Sequence, residues 1–287
     1  ARLVAGINLD MVGQNQELCR STLNLDCTPD SLPSFLNDMV YGLMERSVKE
    51  FDMPSSFGTS SSTFRYDRAA FSGGSDHAEF TDSTIGVPCV MLLQWPDLFY
   101  HTSMDTIDKV SEDSLRRVGW ITAVAALTLA DAAVEDAFLF ANQTASQGMI
   151  SIKEAGKQAV EELSRKKQDP KLKQNSEELA KELAKTAASY TNRLNHIVWR
   201  EQESVKSVKR IDASAELNTF LNAQCEEIRE LGKNETRKLE ETLDFLAKKS
   251  GLTLPILPEM GGELKKLVPM RLFKGTFDFG SLKKALG

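Results

Sequence analysis

Residues 3–12 read Leu-Val-Ala-Gly-Ile-Asn-Leu-Asp-Met-Val, a nearly continuous apolar run with an acidic side chain close to its end. A run of this kind is typical of a strand that is buried on both faces of a parallel or mixed sheet. Because such a strand normally lies inside a sheet, we expect further strands on both sides of it. We therefore expect an α/β domain that is incomplete at its N-terminus in this chain, which leaves the cellular compartment undetermined.

The segments that follow continue an alternation of strands and helices, which is the pattern of an α/β domain. Apolar runs predict the strands, apolar positions at helical spacing predict the helices, and a long stretch of Ser, Gly and Thr predicts a loop. The predicted elements are a strand over Cys19–Leu25, a helix over Ser34–Phe51, a loop over 53–75, a short helix over Asp76–Ser83, a strand over Pro88–Leu93 and a helix from Ser111.

The chain changes character near residue 134, which predicts two structural units. Residues 1–134 contain 9 Lys and Arg against 18 Asp and Glu, whereas residues 135–287 contain 26 against 23. The second part is dominated by Lys, Glu, Ala, Gln and Leu. We predict a catalytic domain portion over 1–134, a helical domain over 135–262 and a C-terminal tail over 263–287.

Helical patterns fill the second part. Ser151 and Glu154 match a capping box that predicts a helix running to about Lys167. Two further apolar stripes, over 172–197 and 217–243, predict long amphipathic helices that pair antiparallel in a hairpin or small bundle. A face for homo-oligomerisation is the alternative role of these stripes. The tail from Leu264 is apolar and basic, so we expect it to pack on the acidic first part.

Composition excludes several classes of function. The net charge of −6 argues against a general nucleic-acid binder, which needs a clustered positive surface. The apolar run over 120–130 is shorter than the ~20 residues that span a bilayer as a helix, so no membrane partner is expected. Four Cys residues do not define a disulfide framework. Small molecules, peptides or proteins are the expected partners.

Three residues of the first part carry the chemistry that a metal site needs. Asp10 ends the first strand, and His101 lies in a loop after a buried strand, so both are expected at the C-terminal edge of the sheet. Carboxylate and imidazole are ligands that zinc accepts. Asp105 or a backbone carbonyl is a candidate to hold the second nitrogen of His101. His77, the other His of this part, follows Asp76 in a Gly-Ser-Asp-His motif.

These motifs occur in one order that resembles a known family. The segment from Asn8 to Ala133 resembles the C-terminal half of the catalytic domain of metallopeptidase family twenty-eight, which comprises di-zinc aminopeptidases and glutamate carboxypeptidases. The matching residues are Asn8-Leu9-Asp10-Met11-Val12-Gly13, Gly74-Ser75-Asp76-His77 followed by Phe80, Gly86-Val87-Pro88, and Tyr100-His101-Thr102 followed by Asp105-Thr106. The resemblance implies a partial mixed-sheet zinc-exopeptidase domain of the phosphorylase/hydrolase-like type.

The same resemblance implies roles for individual residues. Asp10 ligates one zinc ion and His101 the other, while Asp76 and His77 shape the site below the metals. The family takes its remaining ligands and its general-base Glu from a His-x-Asp and a Glu-Glu motif, and neither motif precedes Asp10 here. We therefore expect an N-terminal half or a second chain to complete the active site. Some members of the family have an oxyanion-stabilising Tyr at the position of Ser72, so that role is either absent here or taken over by another residue such as Tyr66 or Tyr100.

The implied activity is the hydrolysis of peptide bonds by water activated between two zinc ions, with aminopeptidase preferred over carboxypeptidase. Candidate residues of the substrate pocket are Trp95, Phe99, Arg65 and Arg68. Two alternatives remain open: an acyltransferase like glutaminyl cyclase, with one zinc, and a metal-free interaction protein with the peptidase fold. Zinc stoichiometry separates the three.

Overall fold

The computed structural model describes residues 3–51 and 63–257. Its elements are β1 (Gly6–Asp10), α1 (Gln16–Cys19), β2 (Thr22–Asp26), α2 (Leu36–Phe51), β3 (Tyr66–Ala69), α3 (His77–Thr81), β4 (Cys89–Trp95), α4 (Glu112–Asp131), α5 (Val134–Gln168), α6 (Ser176–Lys206) and α7 (Ala215–Ser250). Short 3-10 helices occur at Ile107–Lys109, Leu172–Gln174 and Ser207–Arg210. Within these described ranges, no helix is long and apolar enough to span a membrane.

The four strands form a mixed sheet in the order β1-β4-β2-β3. β1 and β4 are parallel, β2 and β3 are parallel, and β2 runs antiparallel to β4. Helix α2 packs against α4 and against strands β2 and β4, while α3 packs against β4 and β1. The predicted α/β class, a partial mixed sheet followed by a helical region, is therefore confirmed.

Burial follows the apolar runs of the sequence. β4 is buried from Cys89 to Leu92, as its continuous apolar composition requires. β1 is less buried, and its Leu9 side chain is 44 % exposed, because β1 lies at one end of the described sheet. Phe35, just before α2, and Leu36, its first residue, are also buried.

Two predicted elements of the first part differ in the structure. The strand predicted over Cys19–Leu25 is wrong at its start, since Cys19 ends helix α1 and the strand begins at Thr22. The Asn15 side chain accepts hydrogen bonds from the backbone N–H groups of Glu17 and Leu18, and this N-cap favours a helical turn there. The predicted loop over 53–75 contains β3, which pairs with β2; residues 53–62 of that loop lie outside the described residues.

The first helix of the second part is longer than its sequence pattern predicts. Helix α5 runs without interruption from Val134 to Gln168, so the helix start predicted at Ser151 is wrong. The Ser151 hydroxyl donates to the Gln147 carbonyl, a bond made inside a helix rather than at an N-cap. The region therefore holds three long helices where two apolar stripes and a shorter helix were predicted.

Contacts between the three helices define their directions. Lys166 pairs with Glu182, and Gly148 faces Glu201, so α5 and α6 run antiparallel. The amide of Gln202 donates to the Cys225 carbonyl, and Gly232 faces Val198, so α6 and α7 also run antiparallel. The predicted antiparallel pairing of the two stripe-bearing helices is thus present in a three-helix arrangement.

Backbone proximity divides the described chain into two compact units. The first holds the described residues up to Phe140 together with Ser207–Leu217, and the second holds Ala141–Lys206 together with the described residues from Asn218 onward. The domain boundaries predicted after residues 134 and 262 stay a prediction. The predicted tail over 263–287 lies outside the described residues.

Candidate functional site

Asp10 is the last residue of β1 and is partly exposed. Its register partner is Leu93 in the parallel strand β4, so it lies at the C-terminal edge of these two strands. The next residue, Met11, has a φ of 53°, and its carbonyl accepts a hydrogen bond from the Gln94 N–H. The regular strand therefore ends at the carboxylate, and Met11 bends the backbone while its carbonyl stays bonded to β4.

His101 lies in the loop that follows β4, six residues after the strand ends at Trp95. The imidazole belongs to an exposed residue whose backbone φ is 56°. The loop is held by a bond from the Leu98 N–H to the Cys19 carbonyl, 3.2 Å long, and by one from Thr102 N–H to the Phe99 carbonyl, 3.0 Å long. Because β1 and β4 are parallel neighbours, His101 follows the same sheet edge at which Asp10 lies.

Positive backbone φ angles occur at His101 and at Met11, the residue after Asp10. In the described ranges, three residues other than glycine have a positive φ: Met11, Arg20 and His101. The left-handed conformation disfavours residues with a Cβ by about 1–2 kcal/mol, and such strain is found preferentially at functional sites. Two of the three strained residues adjoin or coincide with the predicted ligands, which supports a functional role for this edge.

The donor chemistry of the edge fits zinc only in part. A carboxylate and an imidazole are suitable zinc ligands, and no other described residue forms a hydrogen bond with the His101 ring. However, no group of three or more His, Cys, Asp or Glu suited to a metal ion occurs within 3–51 and 63–257. Asp10 and His101 therefore fit as two ligands, and a complete shell needs donors from elsewhere. The distance between the two as metal ligands stays a prediction.

His77 is the first residue of α3 and is fully buried. Its Nε2 lies 3.8 Å from Oδ2 of Asp26, and neither ring nitrogen has a hydrogen-bond partner. Burial lowers the pKa of the His77 imidazole, although the Asp26 carboxylate opposes that shift. The His77 imidazole is buried and meets the Phe71 ring in a T-shaped contact. A buried, neutral ring in this position suits the predicted site-shaping role better than metal ligation.

Asp26, at the end of β2, is a buried carboxylate that the sequence patterns did not single out. Its Oδ1 accepts a hydrogen bond of 3.0 Å from the Ser72 N–H, and its Oδ2 accepts one from the Ser72 hydroxyl. Burial raises the pKa of Asp26, and the bonds from Ser72 oppose this. A signal was present in the sequence, since Leu25-Asp26 repeats the apolar-to-acid strand ending of Leu9-Asp10.

The Gly-Ser-Asp-His motif is tied directly to the first strand. The Asn8 amide in β1 donates a hydrogen bond of 2.9 Å to the Ser75 hydroxyl. Asp76 occupies the N-cap position of α3 without accepting a capping bond from its side chain. The motif thus lies under the same strand that carries Asp10, and the assignment of Asp76 as a site-shaping residue stays a prediction.

The predicted second-shell partner of His101 is not engaged with it in the structure. Asp105 is exposed, and its N–H donates to the Thr102 carbonyl at 3.3 Å. In the part of the chain that the structure describes, its carboxylate forms no hydrogen bond with the imidazole. What contacts the His101 ring is Tyr100, with ring centroids 3.7 Å apart and planes 21° apart.

The candidate pocket residues fall into two groups. Trp95 ends β4, and Phe99 and Tyr100 lie in the loop that follows and contains His101; Trp95 and Tyr100 are each at least 40 % exposed. Tyr66 lies on β3, three strands from β1 and hence about 14 Å across the sheet. Of the two oxyanion candidates, Tyr100 is therefore the one beside His101.

Arg65 and Arg68 are engaged within the fold. The Arg65 guanidinium donates to the Ser21 carbonyl at 3.1 Å and to the Glu17 carboxylate at 2.6 Å. Arg68 donates to Asp38 at 2.8 Å and lies 4.6 Å from the centroid of the Tyr41 ring. These contacts account for both arginines structurally, and a role in binding a substrate carboxylate stays a prediction.

Comparison with known proteins agrees with the motifs. Residues 1–126 match the model of Peptidase family M28. No curated protein and no solved structure matches the chain. The match ends inside α4, so it covers the sheet, Asp10, the Gly-Ser-Asp-His motif and His101, and the predicted family resemblance is confirmed. The match is a similarity of this part of the chain to peptidase family M28, and it gives no information on α5, α6 or α7.

Proposed function

We propose that the region matching peptidase family M28 is part of the active site of a zinc-dependent exopeptidase, with two zinc ions in the complete site and an aminopeptidase specificity. The observation that carries the proposal is the placement of Asp10 and His101 after two parallel neighbouring strands. His101 adopts a left-handed backbone conformation, and so does Met11, the residue after Asp10. The side chains of Asp10 and His101 provide the carboxylate and imidazole that zinc takes in catalytic sites.

Asp10 and His101 would each hold one metal ion in this proposal. Bound zinc supplies a Lewis acid for the scissile carbonyl and a water molecule that is activated near neutral pH. The other ligands and the general-base Glu come from residues outside this chain, supplied by an N-terminal half or by a second chain. In support of this, no group of three or more potential metal ligands occurs within the described residues.

The aromatic residues after β4 are suited to line the substrate site. Trp95 and Tyr100 are exposed beside His101, and Phe99 is covered on one face by the Lys109 ammonium, 4.8 Å from the ring centroid. The Tyr100 hydroxyl is a candidate donor to the oxyanion that develops on the scissile carbonyl. The Lys109 ammonium beside this wall is paired with the Asp108 carboxylate rather than open to a terminal carboxylate, which favours peptides recognised by a free N-terminus and supports the aminopeptidase assignment.

Activity in an assembly purified through a tag on this chain tests the proposal. Asp10→Asn and His101→Ala should each lower the release of an N-terminal amino acid from a short peptide at least 100-fold, because each removes a ligand. Matched controls are Asp131→Asn, an exposed acid at the end of α4, and His196→Ala on α6. Both controls should retain full activity. Undiminished hydrolysis by His101→Ala would contradict the proposal.

The metal-free interaction protein remains the second candidate, since the described residues lack a complete metal shell. It predicts that the purified assembly binds no zinc and releases no amino acid. Blocking the peptide N-terminus separates the substrate classes within the peptidase proposal. An aminopeptidase loses activity on the blocked peptide, whereas a carboxypeptidase loses activity when the C-terminus is amidated.

A further inference from the structure

The His101 ring makes an unusually close contact with the residue before it. The Tyr100 and His101 rings are stacked, with centroids 3.7 Å apart and an interplanar angle of 21°. Adjacent side chains normally diverge in an extended chain, since successive Cβ atoms point to opposite sides. Here the left-handed φ of 56° at His101 changes the direction of the second side chain. The strained backbone conformation therefore accompanies the stack.

Nothing else in the described residues fixes the plane of the imidazole. His101 is exposed, and no hydrogen bond within 3–51 and 63–257 involves its ring. Metal-binding His residues are usually oriented by a hydrogen bond from the second ring nitrogen to a carboxylate or a carbonyl. Asp105 does not provide that bond here. The aromatic face of Tyr100 is the contact that remains to set the ring orientation.

Tyr100 is itself supported from the sheet. Its ring meets the Trp95 ring edge to face, with centroids 5.3 Å apart and planes 84° apart, an arrangement that aromatic quadrupoles favour. Trp95 is the last residue of β4 and pairs with Thr22 of β2. Its carbonyl also accepts a hydrogen bond of 2.9 Å from the Asn24 amide. A continuous series of contacts thus leads from the sheet through Trp95 and Tyr100 to His101.

We infer that Tyr100, braced by Trp95, is a positioning residue that holds the His101 imidazole in its zinc-binding orientation by ring stacking. The inference rests on the proposed function, because it assumes that His101 binds zinc. It assigns the positioning role to the ring of Tyr100 rather than to its hydroxyl. Phe at position 100 keeps the ring and should preserve the role, whereas Leu removes the ring at similar size and should abolish it.

The stack can be tested in the 287-residue chain without metal. Proton NMR of the chain shows the ring signals of three His residues, and His101→Ala identifies those of His101. A ring lying over the Tyr100 face has its protons shifted upfield by the aromatic ring current. We expect that shift to persist in Tyr100→Phe, to vanish in Tyr100→Leu, and to weaken in Trp95→Leu. The same His101 shift in wild type and Tyr100→Leu would overturn the inference.

Zinc titration of the same variants tests the consequence for metal binding. Zinc is added to the metal-free assembly in which this chain is joined by the part that completes the site, and binding at His101 is followed through its ring signals. Loss of the stack should weaken zinc affinity about 2- to 12-fold in Tyr100→Leu, and Tyr100→Phe should bind like wild type. A lost hydroxyl function would instead affect both variants equally.

The possible failures are distinguishable. If zinc binds to the assembly but leaves the His101 signals unchanged, the proposed function loses its metal ligand, while the ring-current result still decides whether the stack exists. If zinc binds at His101 and Tyr100→Leu binds as tightly as wild type, the positioning role is wrong and the proposed function stands. Circular dichroism of each variant confirms folding, which exposed positions such as Tyr100 and Trp95 should tolerate.

Discussion

Helix packing in the second unit makes a sharp prediction at Gly232. This residue lies in α7, and a Cβ built on it would lie 2.3 Å from Cγ2 of Val198 in α6. Ala at position 232 therefore forces Val198 or the two helices to move. Val has one strongly preferred rotamer in a helix, so its side chain gives way only at a cost.

The expected magnitude follows from two opposing effects. Overpacking a well-packed contact destabilises by about 1–3 kcal/mol, whereas replacing Gly by Ala inside a helix stabilises by about 1 kcal/mol. Gly119 in α4 provides the matched control, because a Cβ there would meet nothing within 4 Å. Gly119→Ala should stabilise by about 0.5–1 kcal/mol. The difference in unfolding free energy between the two variants should then be about 1–3 kcal/mol.

Urea unfolding followed by circular dichroism measures both variants. A second substitution, Val198→Ala, removes the methyl groups that the new Cβ meets. The double variant should therefore be more stable than the two single changes predict when added, because the two positions are in contact. Equal stabilisation by Gly232→Ala and Gly119→Ala would refute the packing of α6 against α7 described above.

Three further predictions follow from the first unit. The purified 287-residue chain alone should release no amino acid from a peptide with zinc present, because two ligands hold zinc weakly and no general base is supplied; hydrolysis by the chain alone would contradict this. Arg68→Met should lower the unfolding free energy by about 1–3 kcal/mol, because the Asp38 carboxylate, buried beside it, loses a charged hydrogen bond. An altered KM in the assembly with unchanged stability would instead favour the substrate role for Arg68. Burial lowers the pKa of His77 from 6.5, so the unfolded state binds more protons and stability should fall as the pH drops below about 6.5. His77→Gln should flatten that decline between pH 7.5 and 5.5 in urea unfolding, and an unchanged slope would show that His77 does not cause it.

The strongly apolar strands of the first unit were predictable from local sequence. Residues 3–12 and 88–93 are continuous apolar runs, and both contain strands in the structure. β3 was not predictable in this way, because Tyr66-Asp67-Arg68-Ala69 carries charges and follows a Ser and Thr stretch. Its pairing with β2 depends on a long-range contact rather than on an apolar pattern.

Capping patterns illustrate a second limit. Asn15 and Ser111 act as N-caps where the preceding chain is extended. Ser151 has an equally suitable sequence context, yet its backbone continues the helix from Val134. A capping box stabilises a helix start only where the preceding residues are not helical. The residues before Ser151 are helical, because tertiary packing favours an uninterrupted α5. The Gly residues of α5 and α7 lie where neighbouring helices approach closely, and Gly within a helical pattern is a sequence signal that the apolar stripes do not include.

The candidate site was predictable in its residue types and not in its supporting contacts. Asp10 and His101 were identified by strand endings and by the family motifs. The buried Asp26 beside His77 depends on contacts between residues 51 positions apart in the sequence. The Tyr100 stack depends on the left-handed φ at His101, which no sequence pattern specifies. Sequence thus indicates the reacting groups, and the fold determines what orients them.

The number of zinc ions in the assembly purified through this chain tests the central proposal most directly. Elemental analysis should find two zinc ions per assembled site, and fewer in Asp10→Asn and in His101→Ala, because each substitution removes a ligand from one ion. The His196→Ala control should retain both ions. One zinc in the wild-type assembly would favour an acyltransferase like glutaminyl cyclase, and an assembly without zinc, unchanged by either substitution, would contradict a metallopeptidase site at Asp10 and His101.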